Sequence, residues 1–507
     1  MERDKRGEAI NGEIQLPEAI IQQIQSLLNG KQALRTSVLS KSWYNAWLTS
    51  PNLDFDVRNF ENRRIGDSKS EAADRFRSFV KKTMKRYQEL NLKIVKFRVW
   101  MRVSKPNLVS FANELILKAL KMGVIDLNLE FPSYYYEMYA LPHEVLEAET
   151  LIRLSAIGCK IDWPLDRKIL CSRLESLSLS KVWVGEDVFW HIISSCPLIE
   201  NVLLSGCRYI VGVDKFRQTT EILTLRSPLI DGPINVLEFH KLKCLFLQSV
   251  NVDEQFFSEF SLKFPCLEDL SLCYCDGYRG RRQISSHSLK CISVTETRML
   301  WVNFDVPNIR KFTFSGPIIP RLSFTSALKE FESHVSISCY DKHVEVSWFH
   351  QLQRLLTKLT LSNSNISLTL WFLTEERIDH VGEIKGLPRP VLGNLILSLD
   401  TLSSMYFSAF LDAIFWSCRP KVITIYGFNG SCLLELLCNR LMQQVNENYW
   451  IPNQNVFGQD GLEEVSFESF EVTLKKWRSL PWQAFVDSIK VEENKGQFRI
   501  RLKWRAC

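Results

Sequence analysis

The chain lacks every short motif by which a catalytic or cofactor site usually announces itself. It has no GxxxxGKS/T phosphate loop, GxGxxG turn, HExxH helix or GxSxG elbow. Phosphate-loop, dinucleotide, zincin and α/β-hydrolase chemistries therefore lack their principal residues. Histidine is scarce, eight in 507 residues, and none stands in a Cys-His or Ser-His arrangement. His191, in an apolar helical stretch, reads as a core-edge side chain and not as a base. Fourteen cysteines are present, but no CxxC pair occurs; Cys273-Tyr274-Cys275 is the nearest approach, with no histidine doublet beside it. Cys159 and Cys207 each follow a glycine, and several others fall in a strand-like leucine pattern. They are expected to be small buried hydrophobes in a reducing compartment. No catalytic residue, metal or cofactor is expected.

Long apolar runs are also missing. None approaches the eighteen or so residues of a membrane span, and the N-terminus, MERDKRGEAINGE, is charged throughout. It reads as neither a signal nor a transit peptide, so a nuclear or cytoplasmic protein without membrane contact is expected. A net charge of +6 across the whole chain is a mild excess and argues against a nucleic-acid partner, which usually meets a concentrated basic face. The apolar fraction of 46% is ordinary for a folded protein. The length exceeds what one core usually supports, so a small module plus a long domain or repeat array is expected.

The densest information lies between Leu16 and Asp56. Ile20, Ile21, Ile24, Leu27 and Leu28 follow the spacing of one helix face. Pro17 stands in the first turn, where proline is tolerated, and Asn29-Gly30 ends the helix. A second helix is expected from about Lys31 through Val38 and Leu39, and a third carries Trp43 and Trp47. A segment of about forty residues cannot bury this much apolar surface by itself. It is either a cap on the larger domain or a docking module.

This stretch resembles an F-box, specifically that of the plant F-box/leucine-rich-repeat family, some of whose members end in an FBD-type domain. The resemblance runs without a gap through Leu16-Pro17, Ile24, Lys31, Ala33, RTSVLSK from Arg35 to Lys41, Trp43, Trp47 and PNLDFD from Pro51 to Asp56. Departures are Gln25 for an apolar residue, Asn29 for proline, Gln32 for glutamate and Ser42 for arginine. Of these only Gln25 could cost contact area, if it faces a partner. The resemblance implies a Skp-type adaptor as partner, contacted by Leu16, Pro17, Ile20, Ile24, Leu27, Val38, Leu39 and Trp43 or by helices they hold in place.

Beyond it, a helix is expected from Ser68 to about Leu90, with Phe76, Phe79, Val80, Tyr87 and Leu90 on its apolar face and Lys81, Lys82, Lys85 and Arg86 on its solvated side. The chain then repeats a strand of form LxxLxL. Copies are Leu92-Val95-Phe97, Val124-Leu127-Leu129, Leu151-Leu154-Ser155 with Ile157, Leu174-Leu177-Leu179, Thr220-Leu223-Leu225 and Leu242-Leu245-Leu247. They continue as Leu267-Leu270-Leu272, Leu289-Ile292-Val294, Ile309-Phe312-Phe314, Leu328-Phe331 and Leu356-Leu359-Leu361. In the middle of the array they recur about every 19 to 25 residues, the range of leucine-rich repeats. Such strands bury their leucines only by stacking into a parallel sheet, with helices or loops returning on the convex side. Helices are expected at Leu108–Met122 and Glu186–Ser194. After about residue 400 helices Ser404–Trp416 and Ser431–Glu447 alternate with strands Lys421–Tyr426 and Glu464–Phe467, the last one expected.

The expected architecture is therefore α/β. It comprises a disordered tail (1–12), a three-helix F-box (13–56), a helical linker (57–91), one leucine-rich-repeat solenoid (92–400) and an α/β capping region (401–507). Tyr134, Tyr135, Tyr136 and Tyr139 form an aromatic cluster, and Arg279, Arg281 and Arg282 a basic one; both read more simply as loops than as sites. With the resemblance, this implies a substrate receptor of an SCF-type (Skp-cullin-F-box) ubiquitin ligase, itself no enzyme, linked through the adaptor to a cullin–RING ligase. A scaffold that binds the adaptor without clients is the alternative. The client and its contact residues are not legible.

Overall fold

The computed structural model describes residues 16–28, 30–61, 69–103, 106–132, 138–207, 222–226, 241–252, 254–257, 260–277, 282–296, 301–325, 330–339, 343–362, 364–372, 377–378, 389–398, 404–426, 430–445, 462–471, 476–491 and 498–505. The chain divides into two compact units, Met1–Val211 and Gly212–Cys507. Both are mixed α/β, each built on parallel strands with helices and short extra strands between them.

The first unit opens with α1 (Glu18–Ser26), α2 (Gly30–Thr36) and α3 (Lys41–Leu48). The second of these is shorter than the sequence suggests, ending at Thr36 and leaving Val38 and Leu39 in a turn. The hydroxyls of Thr36 and Ser37 donate to the carbonyls of Ala33 (2.7 Å) and Leu34 (2.6 Å), satisfying the last turn, and Ser40 then caps α3 by accepting from the Trp43 amide.

Strand β1 (Asn52–Asp56) follows, then α4 (Lys69–Glu89), β2 (Lys96–Trp100), α5 (Pro106–Lys121) and β3 (Asp126–Glu130). Strands Arg153–Ile157, Ser176–Ser180 and Asn201–Ser205 complete the parallel sheet of this unit. In-register rows run Leu53, Phe97, Leu127, Leu154, Leu177, Val202 and Phe55, Val99, Leu129, Ala156, Leu179, Leu204, all buried.

Three assignments change here. The first repeat is Ile94-Phe97-Val99 and not Leu92-Val95-Phe97; Leu92 is half-buried and Val95 points away from the core. The third position of the Leu151 repeat is Ala156, with Ser155 and Ile157 on the opposite face. A further repeat, Ile199-Val202-Leu204, follows helix α6 (Glu186–Ser195). Along α4, Phe76, Val80, Met84 and Tyr87 are buried, whereas Leu90, one residue past its end, is exposed. Lys81, Lys82 and Lys85 are solvated as expected, but Arg86 is half-buried over the rings of Trp47 and Tyr87.

A device common to both units sets the rise from strand to strand. The residue after a repeat strand has positive φ at Gly158, Lys181, Gly206, Ser249, Tyr274 and Glu296. Its amide donates to the last carbonyl of the next strand: Gly158 to Ser180 (2.9 Å), Lys181 to Ser205 (2.7 Å), Ser249 to Cys273 (2.8 Å), Tyr274 to Thr295 (2.9 Å). One residue later a small side chain is buried, and cysteine alternates there with valine: Cys159, Val182, Cys207, Val250, Cys275. The Cys207 and Cys275 thiols donate to the carbonyls of Leu179 (3.3 Å) and Leu247 (3.4 Å), the inward leucines one repeat back. That interchange with valine, together with pKa values raised by burial at Cys159 and Cys207, marks these thiols as packing groups.

In the second unit parallel strands run from Ile222–Arg226 through Cys244–Gln248, Asp269–Cys273, Cys291–Thr295, Lys311–Gly316, Phe331–Cys339, Ser364–Phe372 and Asn394–Ser398 to Val422–Tyr426. A row Leu247, Leu272, Val294, Phe314, Val335, Leu368, Leu395, Ile423 threads it. Phe331 does not share the register of Phe312; Ser333 does, so that repeat is two residues out of step at Phe331, while Leu328, like Thr220 of the Thr220-Leu223-Leu225 repeat, lies outside the described residues. Leu356-Leu359-Leu361 lie on helix Val346–Leu361, because an i, i+3 leucine spacing serves a helix face as well as this repeat. The sheet then turns antiparallel: Phe498–Trp504 pairs with Val422–Tyr426 and with Leu462–Glu471, which pairs with Lys476–Leu480. Leu462–Glu471 is thus not the final strand.

Candidate docking site

The helices α1, α2 and α3 pack on one another through few residues. Ile21, Gln25, Ala33, Ser37 and Ala46 are buried among them. The apolar side of α1 therefore splits. Ile21 faces inward, while Ile20 and Leu27 are exposed and Ile24 is half-buried.

Gln25 supplies the interior polar link. It is 3% exposed, and its Nε2 donates to Thr36 Oγ1 (3.0 Å) and to the Trp43 carbonyl (3.1 Å), joining all three helices. The one departure from the family pattern that threatened a contact surface therefore points into the module. At the other end Thr49 Oγ1 donates to Glu18 Oε1 (2.7 Å) and accepts from Gln22 Nε2 (3.0 Å).

With the interior filled this way, large apolar side chains remain outside. Leu27 is 83% exposed, Val38 84% and Leu39 64%; Leu16, Pro17 and Ile20 are exposed as well. Six of the eight residues expected to serve docking are thus on the surface, and Ile24 and Trp43 are half-buried. Leu34 and Tyr44 are also exposed, and the sequence reading did not single them out. Their signal was weak, since adjacent helix residues lie only about 100° apart and an inward Ala33 does not by itself fix where Leu34 points. Isolated exposed leucines are common, whereas here several large apolar side chains are exposed together on three short helices.

The module is anchored by its final segment. Pro51 O accepts from the amides of Val95 (2.8 Å) and Lys96 (3.2 Å), and Asn52–Asp56 pairs in parallel with Lys96–Trp100. The Gly30 amide donates to Asp54 Oδ2 (3.2 Å), and a Cβ at Gly30 would lie 3.1 Å from the Asp54 carbonyl. Asp54 also meets Arg98 (3.3 Å), which bonds Glu130 (2.9 Å). Buried Tyr87 donates its hydroxyl to the Ser50 carbonyl (2.5 Å), and burial pushes its pKa up to about 12.

The remaining candidates lead elsewhere. Tyr134, Tyr135, Tyr136, Arg279 and Arg281 lie outside the described residues, Tyr139 is buried with its hydroxyl on Asn113 Oδ1, and Arg282 begins a short strand. His191 sits half-buried on α6 facing the Arg167 carbonyl (3.4 Å). No helix is long and apolar enough to cross a membrane among the described residues.

Comparison with known proteins agrees with the repeat reading. Residues 113–228 match a family model described as FBD-associated F-box protein At5g56370, LRR repeats. The chain is 31% identical over 195 residues to F-box/LRR-repeat protein At3g59190 of Arabidopsis thaliana, covering 37% of this chain and 48% of that protein. It is 29% identical over 198 residues to F-box/LRR-repeat protein At3g58900 of the same plant, covering 38% of this chain and 58% of that one. The match thus spans about half the length of these relatives.

Proposed function

We propose that this chain, a relative of the plant F-box/leucine-rich-repeat proteins, is the substrate-recognition subunit of an SCF-type ubiquitin ligase acting in the nucleus or cytoplasm. In this reading α1–α3 form the F-box, the parallel strands are leucine-rich repeats, and the antiparallel strands from Leu462 onward cap them. The observation that carries it is the exposure of Leu16, Ile20, Leu27, Val38 and Leu39 on a module whose few interior positions are taken by Ile21, Gln25, Ala33, Ser37 and Ala46. Burying one such leucine against a partner is worth about 1.5–3 kcal/mol, so several together can support a stable complex. The occupant that fits is a Skp-type adaptor with an apolar groove.

The F-box has its apolar faces committed to that contact, which leaves client capture to the repeats and the C-terminal region. A receptor of this kind needs no catalytic residue. It works by proximity, raising the effective concentration of client lysines near a thioester held on another subunit. The test is affinity purification of the wild type and a Leu16→Ala/Pro17→Ala variant with the proteasome blocked. The variant should lose adaptor and cullin but keep a set of co-purifying proteins whose half-lives lengthen when the chain is removed. Equal adaptor recovery from both would refute the docking assignment.

A further inference from the structure

On the second unit a cavity of about 670 Å³ lies between helix Val346–Leu361 and a small parallel sheet formed by Arg282–Ser285, Trp301–Asp305 and Arg321–Phe324. Its origin is legible in the register. Gln283, Asn303 and Ser323 stand opposite one another across the three strands, so they share one face and make an uncharged polar floor; Ser323 Oγ donates to Asn303 Oδ1 (2.9 Å). The inward alternates Ile284, Val302, Phe304 and Leu322 are buried. The helix buries Phe349, Leu352, Leu355, Leu356 and Leu359 and turns Gln351, Arg354 and Lys358 toward the cavity. Arg321 adds a third cation at the strand end, and no carboxylate is among the described residues lining the space.

Arg354 and Lys358 are one turn apart and both exposed, and neither has an ion-pair partner among the described residues. Like charges at that spacing repel each other and weaken the helix. Arg354 and Lys358, side by side on a walled cavity with no carboxylate among its described lining residues, create a positive potential that concentrates anions.

The dimensions select the kind of anion. Four helical residues rise about 6 Å, and alternate residues of an extended peptide are about 6.6 Å apart on one face. Carboxylates on alternate residues of an extended strand would therefore meet Arg354 and Lys358 in turn, with the backbone over the Gln283–Asn303–Ser323 row of donors and acceptors. We propose that this groove holds a short extended acidic peptide of the protein client, with Asp or Glu on alternate residues. The proposal rests on the receptor reading for the word client; the peptide site itself does not.

The experiment is fluorescence anisotropy of the full chain with a labelled Ser-Glu-Gly-Glu-Gly-Glu-Ser peptide at low salt, beside its all-Lys counterpart and a competitor arm of tripolyphosphate. The wild type should bind the glutamate peptide and not the lysine one, and Arg354→Gln/Lys358→Gln should weaken binding at least tenfold. Both positions are exposed, so the variant should keep the wild-type melting temperature, and Lys81→Gln/Lys82→Gln on the other unit should bind as the wild type does. Unchanged affinity in the Arg354/Lys358 variant would overturn the site. Displacement by tripolyphosphate at concentrations well below those of unlabelled peptide would assign the groove to a free polyanion and overturn the peptide. Adaptor capture is measured on the same samples: its failure with peptide binding intact defeats the receptor reading alone, and the reverse defeats the groove alone.

Discussion

Gln25 shows how far a single residue can mislead when only its chemical type is read. As a polar residue inside an apolar helix pattern it looked like a defect in a contact surface. In the fold it is the buried link among three helices, and its outward neighbours Ile20, Ile24 and Leu27 keep their place. Gln25→Leu should therefore leave adaptor affinity unchanged, since the side chain does not reach the outer surface; a tenfold loss in a titration would place it there. Tyr87 makes a second residue-level prediction. Its phenol is neutral in the fold and its pKa is raised by burial to about 12, so the native state holds this proton more tightly than the unfolded state does. The associated stability is complete below the ordinary tyrosine range near 10 and is lost as pH rises through about 12, on the order of 2 kcal/mol in all. Tyr87→Phe should lower stability by about 1 kcal/mol at neutral pH, from the lost bond to the Ser50 carbonyl, and should flatten the alkaline limb. A denaturation series from pH 8 to 12 checks both; identical alkaline limbs would contradict the assignment.

At the scale of elements, most repeat strands were legible because leucine spacing and sheet register express the same alternation. The errors share one cause. LxxL fits a helix face as well as a repeat, which misplaced Leu356-Leu359-Leu361, and it tolerates a two-residue slip, which misplaced Leu92-Val95-Phe97. Alanine at 156 carries no leucine signal although it fills the same row as Leu129 and Leu179. The left-handed residue after each strand was invisible, because only Gly158 and Gly206 among six advertise it. That device yields a paired prediction. A Cβ on Gly158 would come within 2.6 Å of the Phe131 carbonyl, so Gly158→Ala should cost about 2 kcal/mol or more. Lys181→Gly at the equivalent place removes left-handed strain of about 1–2 kcal/mol against a somewhat smaller loss from the freer unfolded chain. It should hold or slightly raise the melting temperature. Equal destabilisation by both substitutions, in thermal or urea unfolding, would mean the positive φ is not what sets the turn.

For the molecule as a whole, a test of the proposed division of labour has to respect where the anchoring contacts fall. The N-terminal helices end in Pro51–Asp56, the rung on which β2 is laid. A truncation at residue 60 would strip that strand from the sheet along with the Tyr87–Ser50 bond, so loss of binding in such a fragment would not separate docking from folding. Point changes on the exposed surface do separate them. The decisive measurement is titration of a purified Skp-type adaptor into the full-length chain and into a Leu27→Asp/Val38→Asp variant, with unfolding recorded for both. Both side chains are more than four-fifths exposed, so stability should change by no more than about 0.5 kcal/mol. The account predicts tight binding by the wild type and at least a thirtyfold loss in the variant, the size expected when central anchors worth about 2 kcal/mol or more are removed. Equal affinity for the two, with unfolding unchanged, would contradict it.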